Sequence, residues 1–198
     1  MRHSKDRIIT THVGSLPRPD DLVELLGKQD RGEPVDAAAL QARAAQAVDE
    51  VVAQQVANGV DIVCDGEMSK MSYHVYAKHR LTGLESVEPA DFPRPPMPRD
   101  FEDFPEMLAI PPGGGGPELL KPTVCTGDVA YADMAPLERD IANLKAAAAR
   151  SKPTDLFMNS ASPGCLSVYM PNVHYPSRDA YREALIEAMR PEYNAIHE

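Results

Sequence analysis

Apolar positions along the chain fall into two kinds of run. Leu40, Ala44, Ala47, Val48, Val51, Val52 and Val56 recur three or four apart, the spacing that gathers side chains on one face of an α-helix. Asp36 stands before this run as a cap and Gly59 after it as a stop, which predicts a helix of about six turns. A shorter helix is expected behind a cap at Asp20, with Leu22, Leu25 and Leu26 on one face and Gly27 or Gly32 at its end. The second kind of run is short and β-branched. Ile8-Ile9-Thr10-Thr11-His12-Val13 stops at Gly14-Ser15, with Pro17 and Pro19 as breakers, and Val60-Asp61-Ile62-Val63-Cys64 stops at Asp65-Gly66-Glu67; both read as short buried strands. Strand, helix, glycine stop and strand make a βαβ unit, hence a parallel sheet with a right-handed crossover.

Further strands fit Pro122–Gly127 and Leu156–Ser160, with a helix at about Pro136–Arg150 between them and a last helix from Ser177 towards the end. Glu88–Pro117 holds nine prolines and the run Gly113-Gly114-Gly115-Gly116, so no regular element is expected there and the segment reads as an irregular lid or linker. Four strand-helix units do not close a (β/α)8 barrel, which needs eight. Three arrangements remain: half of a longer polypeptide, an open α/β sheet, or two chains assembling into something closed.

Composition narrows the partners. The 198 residues carry a formal charge of −10, which repels nucleic-acid phosphates and anionic lipid surfaces. The N-terminus is polar and no run approaches the ~20 apolar residues of a membrane span, so a cytoplasmic protein is expected. Cys64, Cys125 and Cys165 are widely spaced and form no Cys-x-x-Cys pair. They read as buried free thiols of a reducing compartment, although a three-thiol metal site is geometrically conceivable.

In parallel β/α proteins, ligands gather at the C-terminal ends of strands. That places His12-Val13-Gly14-Ser15, Asp65-Gly66-Glu67, Thr126-Gly127-Asp128 and Ser160-Ala161-Ser162 at candidate site positions. Asp65 and Glu67, two apart on an extended segment, can point the same way and grip an ammonium group or share proton transfer; alternatively Asp65 caps the following turn and Glu67 supports it. Ser15, on a Gly-Ser turn, offers a hydroxyl and backbone N–H groups to a small carboxylate, or is an ordinary turn serine. His12 at a strand end is a candidate acid, base or ligand, or a packed histidine.

The segments Thr10-Thr11-His12-Val13-Gly14-Ser15-Leu16-Pro17-Arg18-Pro19 and Gly59-Val60-Asp61-Ile62-Val63-Cys64-Asp65-Gly66-Glu67-Met68, in this order and with the long helix between them, resemble the cobalamin-independent methionine synthase family. The likeness is to its catalytic C-terminal barrel and to its single-barrel relatives. It implies a (β/α)8 TIM-type barrel of which residues 1–198 supply the first four β/α units as an incomplete domain, with 88–117 as the excursion after the second strand. It also implies zinc-dependent methyl transfer from a methyltetrahydrofolate to the thiol of homocysteine, in methionine biosynthesis. Val13, Gly14, Ser15 and Glu67 would hold the amino-acid end of the substrate, with His12 and Asp65 as secondary candidates. The family's zinc ligands, a His-x-Cys pair, a glutamate and a distant cysteine, belong to the second half of the barrel, and no His-x-Cys occurs in this chain. The resemblance therefore implies a substrate-binding half with neither catalytic residue nor metal ligand, inactive until a continuation or a complementing chain completes it, with a complementing chain or a homo-oligomer as the expected protein partner. Two alternatives stay open: a transferase acting on another thiol such as coenzyme M, and a non-catalytic truncated paralogue serving as a binding or partner subunit.

Overall fold

The computed structural model describes residues 3–88, 90–93, 103–106 and 121–198. Helix α1 (Asp20–Asp30) is capped by Pro19, and Asp20 is its first helical residue rather than its cap. The acidic pair Asp20 and Asp21 then sits at the positive end of the helix dipole. The helix passes through Gly27 and stops at Gly32, whose φ of 72° lets the Gly32 and Glu33 N–H groups donate back to the carbonyls of Gln29 and Lys28. Helix α2 (Ala37–Ala57) follows the predicted pattern closely: Asp36 accepts hydrogen bonds from the Ala38 and Ala39 N–H groups, and the chain turns at Gly59, φ 79°.

Strand β1 (Ile62–Val63) lies at the centre of a small parallel sheet. On one side it pairs with β4 (Asp155–Leu156), in the register Ile62 with Asp155 and Val63 with Leu156; on the other it makes a single parallel bridge between Ile62 and Thr11. The segment 8–13 is thus aligned with β1 but is not the buried strand its sequence predicts. Ile8 is 81% exposed and Val13 66% exposed. The segment pairs on one edge only, through Thr10 and Thr11, and an isolated edge contact cannot bury β-branched side chains. An ion pair fastens it instead: the Asp61 carboxylate accepts from Arg7 Nη1 at 2.7 Å and from the Thr10 N–H at 2.9 Å, and the bond from Arg7 holds the Asp61 carboxyl well below the usual range.

Val124 and its neighbours do not form a third parallel strand. Strand β2 (Leu84–Ser86) and strand β3 (Thr123–Cys125) pair antiparallel, with Leu84 opposite Cys125, and form a sheet of their own. The parallel sheet therefore collects three chain segments and not four, and no closed barrel exists among the described residues. A three-residue apolar run signals a buried strand without signalling its partner's direction. Most of the expected irregular segment 88–117 lies outside the described residues.

Between β3 and β4 in the chain runs α3 (Ala135–Ser151), ending on Lys152 in the left-handed conformation. A short helix α4 (Pro163–Tyr169), capped by Ser162, follows β4, and α5 (Arg178–His197), capped by Ser177, runs through Pro191. One apolar cluster joins Leu22 and Leu26 of α1, the Leu40 to Val52 face of α2, Val63 of β1 and Leu144 and Ala147 of α3. Each fully buried Leu or Val there contributes about 1.5–3 kcal/mol over an exposed one. A second cluster gathers Leu84 and Cys125 of the antiparallel pair with Leu166, Met170, Tyr181, Leu185 and Met189. The three cysteines are free, and no helix among the described residues is long and apolar enough to cross a membrane.

Gly83 stands directly before β2, opposite the residues that follow β3. Its φ is 72°, its carbonyl accepts from the Thr126 N–H at 2.9 Å, and a Cβ there would meet the Gly127 carbonyl and stand 2.7 Å from the Asp128 carbonyl oxygen. Gly83→Ala is expected to destabilise the chain by about 2 kcal/mol or more, through left-handed strain and backbone clash together. Urea unfolding reads this directly, and a wild-type midpoint would contradict the packing described.

Candidate functional site

Three neighbouring chain segments of the parallel sheet end side by side, and their next residues form one polar site: Gly14-Ser15 after the Thr11 bridge, Asp65-Gly66-Glu67 after β1, and Asn159-Ser160 after β4. The turn after β1 is strained. Gly66 and Glu67 are both left-handed, with φ of 60° and 58°. Glycine suits the first position twice over, because a Cβ on Gly66 would lie 3.1–3.3 Å from Met68 Cε, Leu16 Cβ and Val51 Cγ1. Glutamate at the second carries a cost of about 1–3 kcal/mol that its surroundings must offset.

They do so through both backbone and side chain. Asp65 Oδ1 accepts the Glu67 N–H at 3.0 Å, while Arg18 donates to the Glu67 carbonyl through Nε at 3.1 Å and Nη2 at 2.9 Å. The Leu16 N–H donates to the Gly66 carbonyl at 3.0 Å and so stitches the first turn to the second. Ser15 Oγ donates to Glu67 Oε2 at 2.6 Å, and Asn159 Nδ2 donates to Oε1 at 2.9 Å. The carboxylate is thus held by two neutral donors on two other segments, and Glu67 is only 2% exposed. Among the described residues it forms no direct ion pair; the Arg18 guanidinium, bonded to the Glu67 carbonyl, is a cation that feels its charge without contacting it.

Beside this carboxylate opens a cavity of about 310 Å³, walled by Val13, Gly14, Glu67, Lys70, Phe157 and Asn159 among others. Lys70 is 2% exposed; its ammonium donates to the Asn159 carbonyl at 3.0 Å and lies 4.8 Å from the centre of the Tyr76 ring. An ionised carboxylate only accepts, so the Asn159 amide must turn its NH2 towards Glu67, which leaves Asn159 Oδ1 buried without a partner.

A second buried network supports the far wall. Glu192, on α5, accepts from Tyr76 Oη at 2.7 Å, Ser160 Oγ at 2.8 Å, Tyr131 Oη at 2.7 Å and Arg80 Nη1 at 3.2 Å. Arg80 also pairs with Asp140 on α3, so the network ties α3 to α5. Burial pushes the Glu192 carboxyl up, but Arg80 and the three hydroxyls outweigh burial and hold it below the usual range. Tyr76 Oη also accepts the Ala161 N–H at 3.0 Å, which fixes the backbone next to Ser160.

The structure brings Gly14, Ser15 and Glu67 together and places Val13 on the cavity wall. His12 folds back on its own turn, with Nε2 3.1 Å from the Gly14 carbonyl oxygen. Asp65 is 1% exposed and lies behind the turn rather than in the cavity wall; one oxygen holds the Glu67 N–H, the other has no partner, and burial raises its carboxyl above the usual range. Cys64 sits against Gln55, and Cys125 Sγ is 3.5 Å from the Gly127 carbonyl oxygen. Burial raises all three thiols, and among the described residues no group of three or more His, Cys, Asp and Glu side chains could hold a metal ion. Arg18, Lys70 and Asn159 are the residues the sequence did not single out. Asn159 stands at a strand end, one residue before a flagged position, whereas Lys70 follows an irregular turn and carries no periodic signal.

No family model and no curated protein matches this chain. Among solved structures, a B12-independent methionine synthase from Shewanella sp. W3-18-1, in complex with selenomethionine, is similar over 95% of this chain and 48% of that one, with a TM-score of 0.61 and 18% identity. The chain spans about half the length of that structure. At this identity, the likeness is one of fold.

The buried charges make two effects measurable. A carboxyl raised by burial favours the protonated folded state, so the stability it confers is complete below the usual aspartate value and is lost as pH rises through the raised one. Asp65→Asn keeps the acceptor for the Glu67 N–H without ionising, so its melting temperature relative to wild type should climb as pH rises above the usual aspartate value; a wild type that gains on the variant over the same rise would contradict the assignment. Glu192→Ala leaves Arg80 buried with one partner fewer and should cost about 3 kcal/mol in denaturant unfolding. A loss well under about 1 kcal/mol would mean the network is not closed as described.

Proposed function

We propose that the three segment ends bind the α-amino-acid end of a homocysteine-like thiol, and that the chain supplies this half of the site of a methionine-synthase-like S-methyltransferase. The observation that carries the reading is Glu67: a buried carboxylate in a strained turn, held by neutral donors and bordering a cavity. An incoming ammonium gives it a cation in direct contact, in charge-assisted hydrogen bonds worth about 1.5–3 kcal/mol each. Each Glu67 oxygen accepts one bond and has room for another. Val13 and Gly14 in the cavity wall, with Ser15 beside Glu67, offer the Gly-Ser turn to the substrate carboxylate, and His12 and Asp65 hold that turn and the Glu67 turn in place.

In this reading, residues 1–198 form the opening β/α units of a (β/α)8 barrel in a cytoplasmic enzyme, with 88–117 as an excursion from it. The structural likeness to half of a methionine synthase supports the fold part. Methyltetrahydrofolate is the expected methyl donor. Zinc in such an enzyme stabilises the substrate thiolate, but the described residues do not fit a zinc site. Its ligands are therefore assigned outside them, in a continuation or in a complementing chain. Coenzyme M, which has no ammonium, offers Glu67 nothing to bind, so the geometry favours the amino-acid thiol over that alternative.

Calorimetric titration tests this. Wild type should bind L-homocysteine and L-methionine but not coenzyme M, and Glu67→Gln should weaken both amino acids at least about tenfold, or 1.4 kcal/mol. Equal binding by the variant, or coenzyme M binding as well as methionine, would contradict the reading.

A further inference from the structure

The cavity holds a second buried charge that the proposed function does not use. Lys70 follows Glu67 by three residues, is 2% exposed and is one of the residues lining the cavity. It spends one of its three N–H donors on the Asn159 carbonyl and turns towards the face of Tyr76. No carboxylate lies within ion-pair distance of it among the described residues; the carboxylate that feels its charge is Asp65, which burial pushes towards its neutral form and which is not in the cavity wall. Glu67 and Lys70 are thus two buried opposite charges, both in the wall of one cavity and neither paired with the other.

Asn159 sets their relation. Its side-chain NH2 binds Glu67 and its backbone carbonyl binds Lys70, so the anion and the cation flank a single residue. Its Oδ1 is buried in the same place without a partner. A ligand that satisfies the whole set needs a cationic donor for Glu67 and Asn159 Oδ1 and an anionic acceptor for Lys70, close together on one small molecule. An α-amino acid carries its ammonium and carboxylate on one carbon and meets that requirement.

We propose that Lys70 is the carboxylate-binding residue of this cavity, so that the site selects a zwitterion held between Glu67 and Lys70. The inference rests on the reading of Glu67 as the ammonium site and adds the group that sets specificity at the other end. The Gly-Ser turn supplies shape and hydrogen bonds to the carboxylate; Lys70 supplies the charge. Removing one partner of such a desolvated charge pair costs far more than losing a rim contact.

The test compares three ligands on the 198-residue chain by calorimetry: L-methionine, its decarboxylated analogue 3-(methylthio)propylamine, and its deaminated analogue 4-(methylthio)butanoate. Wild type should bind methionine at least about tenfold more tightly than either analogue. Lys70→Met should lose that advantage over the amine while binding the amine within about twofold of wild type, and Lys70→Arg should restore most of it. Methionine and the amine binding wild type equally well would overturn the role of Lys70 and leave Glu67 as the ammonium site. Lys70→Met weakening methionine and the amine alike would also overturn it, since the residue would then act on packing alone. Binding of none of the three to wild type would overturn both readings together. The wild-type comparison needs no variant, so a misfolded Lys70→Met chain leaves the proposal exposed to refutation.

Discussion

The site depends on one buried carboxylate that no cation among the described residues contacts directly. Glu67 occupies a left-handed turn that glutamate rarely adopts, and its side chain is drawn inward by Ser15 from one neighbouring segment and Asn159 from another. Remove that carboxylate and those two donors lose their shared acceptor. Arg18 would still clamp the turn through the Glu67 carbonyl, and backbone bonds would still align the three segments, but no side chain would join Ser15 to Asn159 across the site. Desolvation and strain at one residue are therefore offset by contacts from the whole mouth of the sheet, a pattern typical of positions kept for binding rather than for stability.

Two polar networks meet at adjacent residues. Asn159 belongs to the Glu67 network and Ser160 to the Glu192 network, whose charges are matched by Arg80. The Glu192 network is complete and ties α3 to α5; the Glu67 network leaves Asn159 Oδ1 and an Asp65 oxygen unsatisfied. Buried polar groups are normally paired, so this asymmetry separates a scaffold from a receptor. The rigid Glu192 cluster fixes Tyr76 and the backbone at Ala161, and these in turn present Lys70 and Asn159 to the cavity.

Helices α2 and α5 were legible in the sequence because their signals are local. Asp36 and Ser177 cap them with their own side chains, and for α2 an apolar repeat and a terminal glycine complete the message. Ser15 and Glu67 were legible as residues following short β-branched runs, and more sharply through the two motifs that carry the family resemblance. Strand partners were not. The runs at Ile8–Val13 and Val124 have equal claims to be buried strands, yet one is an exposed edge held by Arg7 and Asp61 and the other pairs antiparallel with Leu84–Ser86. Pairing direction is decided by long-range packing that no spacing records. Lys70 escaped for a related reason: its environment is made by Asn159, 89 residues away.

Whether Glu67 is an ammonium receptor is decided by a crystal structure of the chain grown with L-methionine. The ligand ammonium should lie within about 2.7–3.1 Å of a Glu67 carboxylate oxygen, a charge-assisted hydrogen-bond distance, with the Ser15 and Asn159 contacts still grouped around it. Methionine bound elsewhere, or a protein lysine or arginine seated on Glu67 in its place, would contradict that role.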